Sequence, residues 1–237
     1  MKIKKIIEDS KNIQGDRITT FVLTFPRFLL AELNTHRMFS RNSASSRAIP
    51  FNKMVKEVKE NPFIPIAWQK DHKGMQGTEY FTDEKDISWF KMNHLKARDQ
   101  AVERATDAHE KGLTKQIVNR YLEPFMWHTV ILTATEFDNF FELRCPEYLF
   151  NNNIYKSKKE VIKSKHKPFR FKINENEFIE YKDVFNDDRF WLSINKGQSE
   201  IHMMALAEAM YDEMNESVPK LLKAGEYHIP LIQVIED

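Results

Sequence analysis

Three features of this sequence predict a mixed α/β fold, with a central sheet flanked by long helices and an inserted subdomain. Ile18 to Phe25 and Trp127 to Thr135 are strand-length runs rich in β-branched and aromatic residues. Asp86 to Lys111 repeats its apolar residues at helical spacing. Pro146 to Lys196 interrupts this pattern with blocks of charge. The expected organisation is one domain over residues 1–237, with an insertion at about 146–196.

In the first strand Phe21, Leu23 and Phe25 alternate onto one face. Pro26 suits the first turn of a helix, where its missing N–H costs nothing. The spacing of Phe28, Glu32, His36 and Ser40 carries that helix to about Phe39, and the serine-rich stretch beyond reads as a loop. Asn61 to Phe81, with its prolines and glycines, reads as an irregular connection. Asp86 to Lys111 then places Phe90, Ala97, Ala101, Ala105 and Ala108 on one stripe, with Gly112 as its stop. Thr114 caps a second helix ending near Glu123-Pro124, and Trp127 to Thr135 forms a buried strand.

Glu136 to Cys145 is a short helix with Phe137, Phe140 and Phe141 turned inward. Ser199 to Met214 is another helix, capped by Ser199 or Gly197, with Glu200 favouring its positive end. Its Met203, Met204, Met210 and Met214 read as core or subunit interface. Lys220 to Lys223 continue helically after Pro219 and stop near Gly225. Within the insertion, Lys156, Lys158, Lys159, Lys163, Lys165 and Lys167 precede Glu175, Glu177, Glu180, Asp183, Asp187 and Asp188. Such blocks mark a solvated excursion, although its phenylalanines and Trp191 need something to fold onto.

A hydrophobic content of 41% with 18 phenylalanines fills a sizeable core. The 36 Lys and Arg nearly balance 35 Asp and Glu, so no global attraction draws this chain to nucleic acid. An anion site must therefore come from local clustering. A single cysteine, Cys145, excludes an intramolecular disulfide and a multi-cysteine zinc site, and by default it is a small buried hydrophobe. The first ten residues lack the apolar core of a signal peptide, and no apolar run reaches membrane-spanning length. The expectation is a soluble cytoplasmic protein with no membrane partner.

That local clustering lies in Asn34 to Pro50. His36, Arg37, Arg41 and Arg47 stand there among Ser40, Asn42, Ser43, Ser45 and Ser46, with no carboxylate between Glu32 and Glu57. Guanidinium forks and short hydroxyls on turn-prone backbone suit a phosphate or another oxyanion. A solvated helix end with a polar loop is the plainer alternative. Glu32 and His36 form a surface pair and lack a third ligand for a metal. Arg120 and Arg144 are each, taken singly, ordinary salt-bridged arginines, but Arg144 on a phenylalanine-rich helix needs water or an anion.

Four blocks in order resemble the flavin-dependent thymidylate synthases. That family's signature is Arg-His-Arg, seven residues, then Ser, followed closely by Arg. Here Thr35-His36-Arg37 is followed after seven residues by Ser45, with Arg47 two places on. Arg120 precedes Tyr121-Leu-Glu-Pro124, then come Asn139-Phe-Phe-Glu-Leu-Arg144 and Gly197-Gln-Ser-Glu-Ile201, the last similar to the family's Ala-Gln-x-Glu-Ile. Thr35 stands where the signature begins with arginine, and Ser43 where the family commonly has glutamate.

The resemblance implies a homotetramer with active sites at subunit interfaces. It also implies that dUMP becomes dTMP, with FAD as cofactor and NADPH and methylenetetrahydrofolate as co-substrates. Arg144 is then the catalytic residue, its fixed charge favouring ionisation at the N3 side of uracil. Ser45, Ser46, Arg47 and Arg120 hold the nucleotide, with Ala44 in the same loop, and Glu32, Leu33, Asn34 and Thr35 line its pocket. His36, Arg37 and Asn139 contact the flavin together with Thr35, and Ser43 lies at the nucleotide–flavin boundary. No metal is implied. The rival readings are a related transferase that hydroxymethylates dUMP or dCMP, and a nucleotide- or nucleic-acid-binding homologue without flavin.

Overall fold

Phe21, Leu23 and Phe25 are fully buried in β2 (Arg17–Pro26), the middle strand of a five-stranded mixed sheet. The computed structural model describes residues 3–74, 77–164, 170–174, 177–180 and 184–231. Sheet order is β3-β4-β2-β1-β9, where β1 is Ile3–Lys11, β3 Ser40–Ser43, β4 Trp127–Ala134 and β9 Lys220–Leu221. β2 pairs antiparallel with both β1 and β4, while β9 runs parallel to β1. The mixed α/β expectation holds.

The residues separate into two units: Met1–Ile64 with Met92–Asp138 and Glu213–Asp237, and Pro65–Lys91 with Asn139–Asp212. In the first, one face of the sheet buries Phe21, Val130 and Leu132, and the Phe21 and Phe39 rings meet Phe137. The other face alternates threonines with the half-buried pair Val22 and Ile131. Thr20 bonds Thr133 at 2.7 Å and Thr24 bonds Thr129 at 2.8 Å, pinning the register across β2 and β4. His228 ties the end of the chain to this face through Thr20 at 2.7 Å and Ser10 at 3.1 Å.

The predicted helix through Phe39 is much shorter. A 3-10 turn at Arg27–Leu29 leads into α1 (Leu30–Leu33) and stops. Thr35 Oγ1 donates back to the Glu32 carbonyl at 2.7 Å, and the Arg41 guanidinium takes the Leu33 and His36 carbonyls at 3.0 and 2.9 Å. These donors satisfy the helix end. The expected loop from Ser40 is instead edge strand β3, because pairing with β4 gives its backbone a ladder that local composition does not announce. Lys220 to Lys223 likewise do not form a helix: Lys220 and Leu221 extend the sheet beside Ser10 and Lys11.

α2 (Phe51–Glu60), α3 (Glu84–Glu110) and α4 (Lys115–Val118) supply the helices around this sheet. Phe51, Met54, Val58, Val102, Ala105, Val118, Leu122 and Phe125 form one apolar cluster. α3 ends where predicted, with Gly112 at φ +90°, a conformation that only glycine adopts cheaply. Thr114 caps α4 by accepting from Gln116 N–H at 3.4 Å, and a 3-10 stretch at Asn119–Phe125 follows. Arg98 donates to the Val58 and Lys59 carbonyls at 3.2 and 3.0 Å, closing the C-terminal end of α2.

The second unit contains the predicted insertion and has its own core. Tyr148, Phe150, Val161, Val184, Phe190, Trp191 and Ile194 pack together, so the excursion folds on itself rather than remaining solvated. It holds the hairpin of β5 (Tyr148–Phe150) and β6 (Asn153–Tyr155), turning at Asn151 and Asn152 with φ of 49° and 61°. α6 (Lys158–Lys163) is capped by Ser157 and α7 (Asp188–Ile194) by Asp187. β7 (Arg170–Asn174) and β8 (Glu177–Glu180) pair antiparallel. Lys165, Lys167, Glu175 and Asp183 of the charge blocks lie outside the described residues. The helix predicted from Glu136 is α5 (Asp138–Arg144), with Phe140 and Phe141 buried. α8 (Ile201–Glu216) buries Met203, Met204 and Met210 as core. Among the described residues no helix is long and apolar enough to cross a membrane.

In the first unit, Asp9 of β1 accepts from Arg17 at 2.7 Å, Thr19 at 3.0 Å and Ser217 at 2.5 Å. Burial pushes its pKa up, but the bonds from Arg17, Ser217 and Thr19 outweigh that and hold it below 3.8. The stability it lends is complete above about pH 4 and is lost as pH falls through the lowered value. Acid unfolding of Asp9→Asn, followed by circular dichroism, should depend less on pH below about 4 than that of the parent. Parallel curves would exclude Asp9 as a source of acid sensitivity.

Candidate anion-binding site

The serine–arginine turn is built on β3. Where that strand leaves the sheet, Ser43, Ala44 and Ser45 are exposed, Ser46 turns inward and Arg47 is exposed again. Ala48 N–H donates to the Ser45 carbonyl at 2.9 Å, closing the turn. Arg47 N–H donates to Ser45 Oγ at 3.3 Å, leaving the Ser45 hydroxyl proton available to a ligand.

What fixes this turn is Asn119, fully buried at the start of the 3-10 stretch. Its Nδ2 donates to the Ser46 carbonyl at 2.8 Å and the Ile49 carbonyl at 3.0 Å. Arg47 and Arg120 are therefore each one residue from a shared contact. Arg120 is exposed and spends its Nε–H on the Gln116 carbonyl at 3.2 Å. Among the described residues no carboxylate pairs with Arg37, Arg47 or Arg120. Two uncompensated guanidinium groups beside exposed hydroxyls can hold a dianion. Arg41 is half-buried and spends its Nη1 on the Leu33 and His36 carbonyls.

The other expected pocket residues divide by exposure. Leu33 is fully buried and serves packing; Asn34 and Thr35 are exposed, while Glu32 and His36 are half-buried. With α1 ending at Leu33, Glu32 and His36 do not share a helical face. The His36 ring lies 5.8 Å from that of Phe39, and Arg37 beside it is exposed.

Arg144 and Asn139 belong to the second unit. Asn139 is exposed and Arg144 half-buried. Arg144 Nη1 donates to Ser199 Oγ at 3.3 Å, so two motif blocks separated by the insertion meet in space. Ser199 is thus not the helix cap. Glu200 is, accepting from His202 and Met203 N–H at 2.8 and 2.9 Å. Glu200 also bonds His202 Nδ1 at 2.5 Å, and His202 Nε2 accepts from Ile66 N–H at 3.0 Å. A Cβ at Gly197 would lie 2.6 Å from Met204 Sδ, which accounts for glycine where the resembling family has alanine. Cys145 is buried, and burial pushes its thiol up to about 12, so it is no nucleophile at neutral pH.

Sequence reasoning missed Asn119, Glu123, Arg27 and His128 near the turn. Asn119 adjoins Arg120 and Glu123 lies within the Tyr121–Pro124 block, the two hints that the sequence carries. Ser46 Oγ donates to Glu123 Oε1 at 3.0 Å, and Arg27 Nη2 lies 3.7 Å from the same oxygen.

No protein-family model matches this sequence. No curated protein matches it. Among solved structures it is similar to the UMP/dUMP methylase PolB from Streptomyces cacaoi bound with 5-Br UMP. That match has 17% identity over 60% of this chain and 76% of that one, with a TM-score of 0.49. Another structure of the same methylase, bound with 5-Br dUMP, matches at 18% identity over 54% of each chain, with a TM-score of 0.45.

Proposed function

We propose that this chain transfers a one-carbon unit to the pyrimidine ring of dUMP, as a flavin-dependent thymidylate synthase forming dTMP. The observation carrying this reading is the Asn119 clamp, which joins the Ser45–Arg47 turn to the helix bearing Arg120. The four ordered motif blocks support it independently. In this reading Ser45, Arg47 and Arg120 hold the nucleotide phosphate. Arg144 sets a fixed positive charge where negative charge develops on the uracil ring. His36, Arg37 and Asn139 hold FAD, which supplies the hydride relay when bound. NADPH and methylenetetrahydrofolate serve as co-substrates, and a homotetramer belongs to the same proposal.

Flavin absorbance after reconstitution with FAD tests the cofactor. Tritium release from 5-tritiated dUMP with NADPH and methylenetetrahydrofolate tests the reaction, with dCMP run in parallel and the product analysed. The expected result is a yellow protein that releases tritium from dUMP and forms dTMP. A protein that binds no FAD and releases no tritium from either nucleotide overturns the proposal. Tritium release with a hydroxymethyl product would replace it by the hydroxymethylating rival.

A further inference from the structure

Glu123 is a carboxylate beside a cluster of cations, where a phosphate site would ordinarily exclude one. It lies three residues after Arg120 in the same 3-10 stretch, and its Oε1 accepts the hydroxyl of Ser46, the buried member of the turn. The Ser46 carbonyl is held from another side by Asn119. Side chain and backbone of Ser46 are thus both fixed, and its neighbours Ser45 and Arg47 point to solvent. Arg27 stands 3.7 Å from the same Glu123 oxygen, too far for a strong hydrogen bond but near enough to offset its charge.

His128 completes the group without adding charge. It is buried, and its pKa is lowered to about 4 by burial first and then by Arg27, against the opposing pull of Glu123. At neutral pH it is therefore an uncharged imidazole, and the cation facing Glu123 is Arg27.

We propose that Glu123 is a positioning residue that orients the Ser45–Arg47 turn for phosphate, with Arg27 offsetting its negative charge. This rests on the nucleotide reading above. A leucine at 123 keeps the bulk but leaves the buried Ser46 hydroxyl without its acceptor, so the turn loses its orientation. A glutamine keeps an acceptor and sheds the charge. Removing Arg27 leaves the carboxylate facing the phosphate unopposed.

Isothermal titration with dUMP distinguishes these effects. Glu123→Leu should bind about tenfold more weakly, while Glu123→Gln stays within about threefold of the parent. Arg27→Met should weaken binding about fivefold, and adding Glu123→Gln to it should restore most of that loss, a rescue that a merely structural role would not produce. Parent-like binding by Glu123→Leu, while Arg47→Ala binds weakly, overturns the positioning role. Failure of Glu123→Gln to rescue Arg27→Met does the same, even if the leucine variant does not fold. Unchanged dUMP binding in Arg47→Ala would instead overturn the phosphate reading on which the proposal rests.

Discussion

Arg144→Ala is expected to lower turnover by about 10²–10³-fold while leaving flavin bound. The size follows from the task assigned to Arg144 under the proposed function. A fixed charge aimed at a developing negative charge acts most strongly in the transition state, so its removal falls on kcat rather than on cofactor binding. Arg144 ends α5, is half-buried, and donates to Ser199 at 3.3 Å, while Phe140 and Phe141 carry the packing of that helix. Stopped-flow and steady-state rates with dUMP, beside the flavin spectrum of the variant, check it. Wild-type-like turnover would remove Arg144 from the chemistry.

Arg47→Ala should weaken dUMP binding by about 10–100-fold, the cost of losing charge-assisted hydrogen bonds to a phosphate. Stability should hardly change, because Arg47 is exposed and has no carboxylate partner among the described residues. Arg47→Lys keeps the charge but not the planar fork and should recover only part of the affinity. Uridine or deoxyuridine, lacking the phosphate, should bind the parent and Arg47→Ala alike. Calorimetric titration of the four combinations measures this directly. An equal loss for nucleotide and nucleoside would mean that Arg47 acts on the loop rather than on the phosphate.

Much of this architecture was legible because it is written in short-range periodicity. The alternation of Phe21, Leu23 and Phe25 announced a half-buried strand, and the alanine stripe with Gly112 announced a long helix and its stop. Where the reading failed, a sheet edge had recruited the residues. Ser40 to Ser43 looked like loop and Lys220 to Lys223 like helix, yet both β3 and β9 form by pairing with strands distant in sequence. A ladder hydrogen bond depends on what lies alongside, and no local pattern records that.

The candidate site divides in the same way. Ser45 and Arg47 stand out by residue type, spacing and the absence of nearby carboxylates, whereas Arg120 enters only through the resemblance. Asn119 does not stand out, because a buried amide carries no signal of its own, and Glu123, although inside the Tyr121–Pro124 block, carries no sign of its contact with Ser46. The contact between Arg144 and Ser199 spans 55 residues of chain and could only follow from folding. Cys145 is buried, as its residue type leads one to expect.

Composition and order thus determine the chemistry available to this chain: an unbalanced run of cations and hydroxyls, a single cysteine, and four motif blocks in sequence. Folding decided which of those groups are free to use it. Arg41 and Arg47 are alike in residue type and surroundings, six residues apart in one serine-rich stretch, and only the motif spacing singles out Arg47. The early end of α1 leaves the Leu33 carbonyl, and the His36 carbonyl beyond it, in need of donors, and Arg41 Nη1 supplies both. The turn after β3 leaves Arg47 at the surface beside Ser45, its guanidinium without a carboxylate partner among the described residues.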